Sequence, residues 1–103
     1  IEQADPAGAW EIFQAHAQAG VASADFQGVS GVALQKLGRM KEAGEHYQAA
    51  TRIAPANPSW WVGLGLSMEA EGRPDAARDA FLKARGLPGL SPELTAFVEQ
   101  RLR

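Results

Sequence analysis

The sequence predicts an all-α fold built from antiparallel helix pairs, and three observations predict it. The chain repeats itself: shifted by 34 residues, Gly31 meets Gly65, Gly38 meets Gly72, Arg39 meets Arg73, Ala43 meets Ala77, Tyr47 meets Phe81 and Ala50 meets Ala84. Two periods separate Pro6, Ala9 and Phe13 from Pro74, Ala77 and Phe81. Small and aromatic residues recurring at one period mark a stacked array of one supersecondary unit. Within the segments, apolar residues recur at three- and four-residue steps, the helical period. No segment shows the every-second-residue alternation of a strand.

The elements follow in order. Residues 6–19 read as the second helix of a repeat whose first helix is missing. Trp10, Ile12 and Phe13 then expect a partner, so this edge is expected to pack on a neighbouring chain or on residues outside the sequence. The opening "IEQADP", without methionine, reads as the start of a piece cut from a larger protein. A helix over 23–37 carries Gly31, which costs about 1 kcal/mol inside a helix and implies close approach of the paired helix. Over 40–54, "MKEAGEHYQAATRIA" places Met40, Ala43, Tyr47, Ala50 and Ile53 or Ala54 on one stripe. The helix over 58–71 opens on "NPSWW", with Asn57 as cap and Pro58 in the first turn. Over 74–86, Pro74 and Asp75 suit a helix start, and Ala77, Ala80, Phe81 and Ala84 form the stripe. Gly38 and Gly72 follow helical runs, where a left-handed residue ends a helix cheaply. The last helix, over 92–102, has Ser91 as cap and Leu94, Phe97, Val98 and Leu102 as its apolar stripe. Its other face is polar, as the terminal unit of an array requires.

Composition narrows the function. The chain has 103 residues, one domain's worth, and a net charge of −2, which gives no electrostatic reason to expect nucleic acid or an anionic membrane as partner. It has no cysteine, which excludes disulfides and thiolate metal sites and leaves the compartment open. No apolar run approaches the roughly 18 residues of a membrane span, so direct membrane insertion is not expected.

Catalytic and cofactor chemistry finds little support. His16 and His46 form no H-x-x-x-H pair, so no metal site is expected. His46 is expected in solvent on the polar side of its helix, and His16 at a boundary. The serines lack a G-x-S-x-G context, and the glycine-rich stretches "GVSGVALQKLG" and "GLGLSMEAEG" are not phosphate loops. No enzyme activity and no cofactor are expected.

With its period of 34, its turn glycines and its small and aromatic positions, the sequence resembles the tetratricopeptide repeat family. The resemblance implies a right-handed α-solenoid of antiparallel helix pairs. It divides the chain into the second helix of a truncated repeat (1–23), two full repeats (24–57 and 58–91) and a capping helix (92–103). The closing proline is Pro55, and slips to Pro88 one place early in the second repeat. The early aromatic position holds Trp61 in the second repeat but Gln27 in the first. Trp61 is therefore expected to face the second helix of its own pair. Trp60, about 100° further round the helix, is expected at the seam with Ile53 and Tyr47, or as a partly exposed contact.

In this family the inner face of the first helices commonly holds a peptide or helix. Its register implies a partner-binding groove of Asp25, Gly28, Val32, Gln35 and Lys36 from the first repeat and Ser59, Val62, Leu66, Glu69 and Ala70 from the second, with Glu93 and Ala96 beyond. Apolar in the middle, this strip suits a hydrophobic peptide or amphipathic helix. It lacks the Lys/Asn/Arg cluster that clamps a C-terminal carboxylate. The alternative is that Val32, Val62 and Leu66 pack on each other or on the last helix. The C-terminal half, from "NPSWW" to "QRL", is also similar to the end of the mannose-sensitive haemagglutinin pilus biogenesis protein N family. That similarity implies a periplasmic, membrane-anchored scaffold in bacterial type IV pilus assembly or secretion. Two functions stay open: a scaffold that docks a protein partner, and a structural or oligomerisation end-piece with no ligand of its own.

Overall fold

A computed structural model of the chain describes residues 23–103. The expectations placed on residues 6–19, including self-association through Trp10, Ile12 and Phe13, lie outside the described residues. Five helices follow one another: α1 (Ala24–Lys36), α2 (Met40–Ile53), α3 (Pro58–Ala70), α4 (Pro74–Arg85) and α5 (Pro92–Arg101). Each lies within about a residue of its expected bounds. No strand occurs among the described residues. α1 packs on α2 and α3 on α4, α2 bridges to α3, and α5 closes on α4. The result is an all-α helical repeat solenoid.

Side-chain caps fix the starts of the outer and first helices. Ser23 Oγ accepts from the Phe26 amide at 2.9 Å, Asn57 Oδ1 from Ser59 at 3.0 Å and Ser91 Oγ from Leu94 at 3.1 Å. These bonds satisfy amides that a helix's first turn leaves without internal partners. α1 and α3 end the same way, on Gly38 (φ 79°) and Gly72 (φ 75°), each in the left-handed region expected of them. Arg39 N then bonds Leu34 O, and Arg73 N bonds Met68 O, both at 2.9 Å. The two turns are thus copies, and each reverses the chain so that the second helix returns along the first.

The core is made of alanines and a few large side chains. Ala43, Tyr47, Ala50, Ala77, Ala80, Phe81 and Ala84 are buried as the stripes of α2 and α4 require. Val98 and Leu102 of α5 are buried, with Leu94 and Phe97 packed against the same cluster. Ile53 departs from its expected stripe: it is the last residue of α2 and is 46% exposed. Ala54, the other residue named for that position, is half-buried, and Trp60 meets Tyr47 without Ile53, ring centroids 6.4 Å apart.

Aromatic rings seated in glycine notches hold neighbouring helices together. Gly31 on α1 faces Tyr47, and Gly65 on α3 faces Phe81; a Cβ at these positions would stand 3.0 and 2.6 Å from the rings. These are the in-pair contacts that the repeat implied. Two more notches join one repeat to the next. The Trp60 ring fills the space beside Gly28, and Tyr47 also fills that beside Gly63. Where α5 ends the array, Phe97 takes the place of such a glycine and meets Phe81 edge-on at 6.1 Å.

Ser67 is one of two buried side chains with an unsatisfied polar atom among the described residues, the other being Trp60. It is fully buried, and its Oγ makes no hydrogen bond. The space beside Gly44 is so narrow that a Cβ there would lie 3.3 Å from Ser67 Cβ. A buried hydroxyl without a partner costs about 1–3 kcal/mol. Ser67→Ala is therefore expected to raise the unfolding free energy by about 1 kcal/mol. Urea denaturation checks this; a loss of stability would mean the hydroxyl is satisfied in solution.

Candidate functional site

The first helices, α1 and α3, touch each other directly and carry the candidate groove. On α1 the exposed stripe is Asp25, Val29, Val32 and Lys36. Val29 and Val32 are 41% and 38% exposed, and stand one helical turn apart on this stripe. Val29 was not among the expected groove residues. Its signal was nonetheless in the sequence, because 25, 29, 32 and 36 follow one another at four-, three- and four-residue steps.

The other expected positions divide into three groups. Ser59, Glu69 and Ala70 are exposed, as are Glu93 and Ala96 on α5. Leu66 and Gln35 are half-buried: Leu66 packs against the core, and Gln35 Oε1 accepts from the Tyr47 hydroxyl at 2.9 Å. Gly28 and Val62 are buried, Gly28 beneath the Trp60 ring and Val62 at 4% exposure inside the core. Neither offers a side chain to a partner. The exposed positions are therefore fewer than the register implied: Asp25, Val32 and Lys36 on α1, with Val29 between them, and Ser59, Glu69 and Ala70 on α3. Glu69 is engaged in an ion pair, Arg101 Nε to its carboxylate at 3.2 Å. Arg101 also lies over the Phe97 ring at 4.5 Å, which holds the guanidinium in place.

The two tryptophans serve mainly to join helices. Trp61 Nε1 donates to Pro55 O at 2.8 Å, and Lys83 Nζ stands 5.8 Å from its ring centroid. Trp61 thus tethers the α2–α3 turn and packs toward α4, the second helix of its pair. It lines an open cleft of about 270 Å³ with Gln48, Leu64, Met68, Ala76, Ala80 and Lys83 on the side of the second helices. Trp60 is half-buried across Gly28, and its Nε1 is buried without a partner.

His46 is more than a solvated side chain. Its Nδ1 lies 2.7 Å from Gln27 Oε1, in a half-buried setting between α1 and α2. One period on, the same two positions hold Trp61 and Ala80. The first repeat has replaced an aromatic–small contact with a polar pair, which accounts for glutamine at the aromatic position. Burial pulls the His46 pKa below its ordinary 6.5, opposed by the charges of Glu45 and Glu42. A lowered histidine pKa makes the folded state bind its proton less readily than the unfolded state. Stability should therefore be full above pH 6.5 and fall as the pH drops through that value. Unfolding free energies measured between about pH 7.5 and 5.5, around the unperturbed histidine pKa, should fall less steeply for His46→Asn than for the parent chain. Burial also raises the Tyr47 hydroxyl to about 12, so it remains a donor to Gln35 at any physiological pH.

No group of histidine, aspartate and glutamate among the described residues could hold a metal ion, and no described helix is long and apolar enough to cross a membrane. A family model described as tetratricopeptide repeat matches the chain over residues 1–58 and again over residues 31–92. A comparison with curated proteins finds no match.

Proposed function

We propose that this chain, which belongs to the tetratricopeptide repeat family, is a non-catalytic scaffold that holds a peptide or amphipathic helix along its first helices. Repeats of this family generally mediate protein–protein interaction and are typically non-catalytic. The observation that supports the reading is the apolar strip of α1, where Val29 and Val32 stand exposed between Asp25 and Lys36. A helical ligand with apolar residues at three- and four-residue spacing, a base near Asp25 and an acid near Lys36 matches it. Ser59, Leu66 and Glu69 continue the contact onto α3, and Trp60 flanks it. The similarity of the C-terminal half to the pilus biogenesis protein N family extends the proposal. The partner is then a component of a bacterial type IV pilus or secretion assembly, and the chain works in the periplasm as part of a membrane-anchored protein.

The alternative is an end-piece that only stabilises a longer array. It gains from Val62 and Gly28, two groove positions consumed by packing. Panning a displayed peptide library separates the two. Peptides enriched on the parent chain and lost on Val32→Glu support the scaffold. Enrichment of no peptide at all supports the end-piece, and peptides retained equally by both chains move the binding surface off the α1 strip.

A further inference from the structure

We propose that the exposed stripe of α1 also binds a second copy of this chain, with the two α1 helices antiparallel about a two-fold axis between Val29 and Val32. The order along the stripe is acid, apolar, apolar, base: Asp25, Val29, Val32, Lys36, all exposed. The steps of four, three and four residues are those of a coiled-coil seam, in which each residue inserts between residues of the facing helix. Read in the opposite direction, the stripe complements itself. Asp25 faces the partner's Lys36 at one end, Lys36 faces the partner's Asp25 at the other, and valine meets valine twice in the middle. Each facing pair lies equally far from the midpoint, so all four layers register at once. A parallel pairing would instead set Asp25 against the partner's Asp25 and Lys36 against the partner's Lys36. Charge alone therefore selects the antiparallel arrangement. The contact uses the same patch on both copies, so it closes at two and does not propagate into fibres.

The seam is short. A helix of 13 residues is about 20 Å long, and the area it can bury falls short of an ordinary stable interface. The dimer is accordingly weak and concentration-dependent, with a Kd of about 0.1–1 mM. It covers Val32, Asp25 and Lys36, so it excludes any ligand bound to the same strip. It does not depend on that ligand's existence, because it rests on the stripe's complementarity to itself.

Sedimentation equilibrium of the full 103-residue chain tests it through charge exchange. Asp25→Lys alone and Lys36→Glu alone each place like charges at both ends of the seam. Each should weaken self-association about tenfold or more, from two ion pairs turned into two repulsions. An equimolar mixture of the two variants restores both ion pairs, and so does the double variant Asp25→Lys/Lys36→Glu. Both should recover association to within about threefold of the parent, less than the tenfold that 1.4 kcal/mol represents. Val29→Glu should abolish it. All four side chains are exposed, so unchanged helical circular dichroism accompanies each result. A chain monomeric up to about 1 mM, the weakest affinity expected of so short a seam, overturns the proposal. Dimerisation indifferent to the charge variants and to Val29→Glu overturns it too, and moves the interface elsewhere, Trp10, Ile12 and Phe13 being the first place to look.

Discussion

Gly63→Ala is expected to lower the melting temperature by about 10 °C, from a net loss of about 2 kcal/mol. The sign is the informative part. Alanine is the better helix former by about 1 kcal/mol, so propensity alone favours the substitution. Packing opposes it, because the new methyl would overlap the Tyr47 ring along the edge formed by Cδ1, Cε1 and Cζ. Tyr47 cannot retreat: its ring also lies against Gly31, and its hydroxyl is held by Gln35. Overpacking of this kind costs about 3 kcal/mol, which exceeds the gain. Gly65→Ala should behave alike, since its methyl would come within 2.6 Å of the buried Phe81 ring. Gly86→Ala is the control. Its nearest neighbours would be carbonyl oxygens at 3.6 and 3.7 Å, and its φ of −78° suits any residue. That substitution should leave the melting temperature unchanged or raise it slightly. If Gly63→Ala proves neutral, the ring-in-notch contact does not hold the two repeats together. In a Tyr47→Leu background the cost of Gly63→Ala should shrink by more than half, and a double-mutant cycle measures this coupling.

Val62→Glu should abolish cooperative unfolding, whereas Val32→Glu should shift the melting temperature by no more than about 4 °C, the effect of a surface change within ±0.5 kcal/mol. Both residues belong to the face that the repeat register assigns to a partner. Val62 is 4% exposed within the apolar core cluster, and a carboxylate there would be desolvated. Val32 stands four residues before Lys36 on the exposed stripe, so its glutamate would remain in water. The expected loss is thus several kcal/mol at one site and a few tenths at the other. Leu66→Glu should fall between them, because Leu66 is half-buried against the core. For that reason Val32→Glu is the better probe of binding. Its loss of ligand reports on the strip, while that of Leu66→Glu mixes binding with folding. Equal thermal stability of Val62→Glu and Val32→Glu would contradict the assignment of Val62 to the core.

The fold was legible where the chain repeats. Gly38 and Gly72, the alanine stripes and the pair Tyr47 and Phe81 recur at 34 residues because each repeat must solve the same internal packing problem. The caps Asn57 and Ser91 were legible from local chemistry alone. The notches at Gly28 and Gly63 were not, and the reason is physical. They serve contacts between repeats, and their counterparts one period away are Val62 and Val29. A search for recurrence cannot find a device that occurs once. The same asymmetry hid the Gln27–His46 pair, which stands where the next repeat has Trp61 and Ala80. Of the candidate groove positions, Asp25, Val32 and Lys36 lie exposed, whereas Gly28 and Val62 are buried, and the sequence did not separate the two kinds. Register assigns a residue to a face, and only the neighbouring ring of Trp60 or the packing around Val62 decides whether that residue remains open on it.

The most direct test of the scaffold reading is chemical-shift mapping of the amides of the labelled chain, titrated with a peptide enriched by panning. Shifts are expected at Asp25, Val29, Val32, Lys36, Ser59 and Leu66, with little change at Gln48, Trp61 and Lys83 around the cleft of the second helices. Shifts centred on the cleft around Trp61 and Lys83, with α1 silent, would contradict that reading.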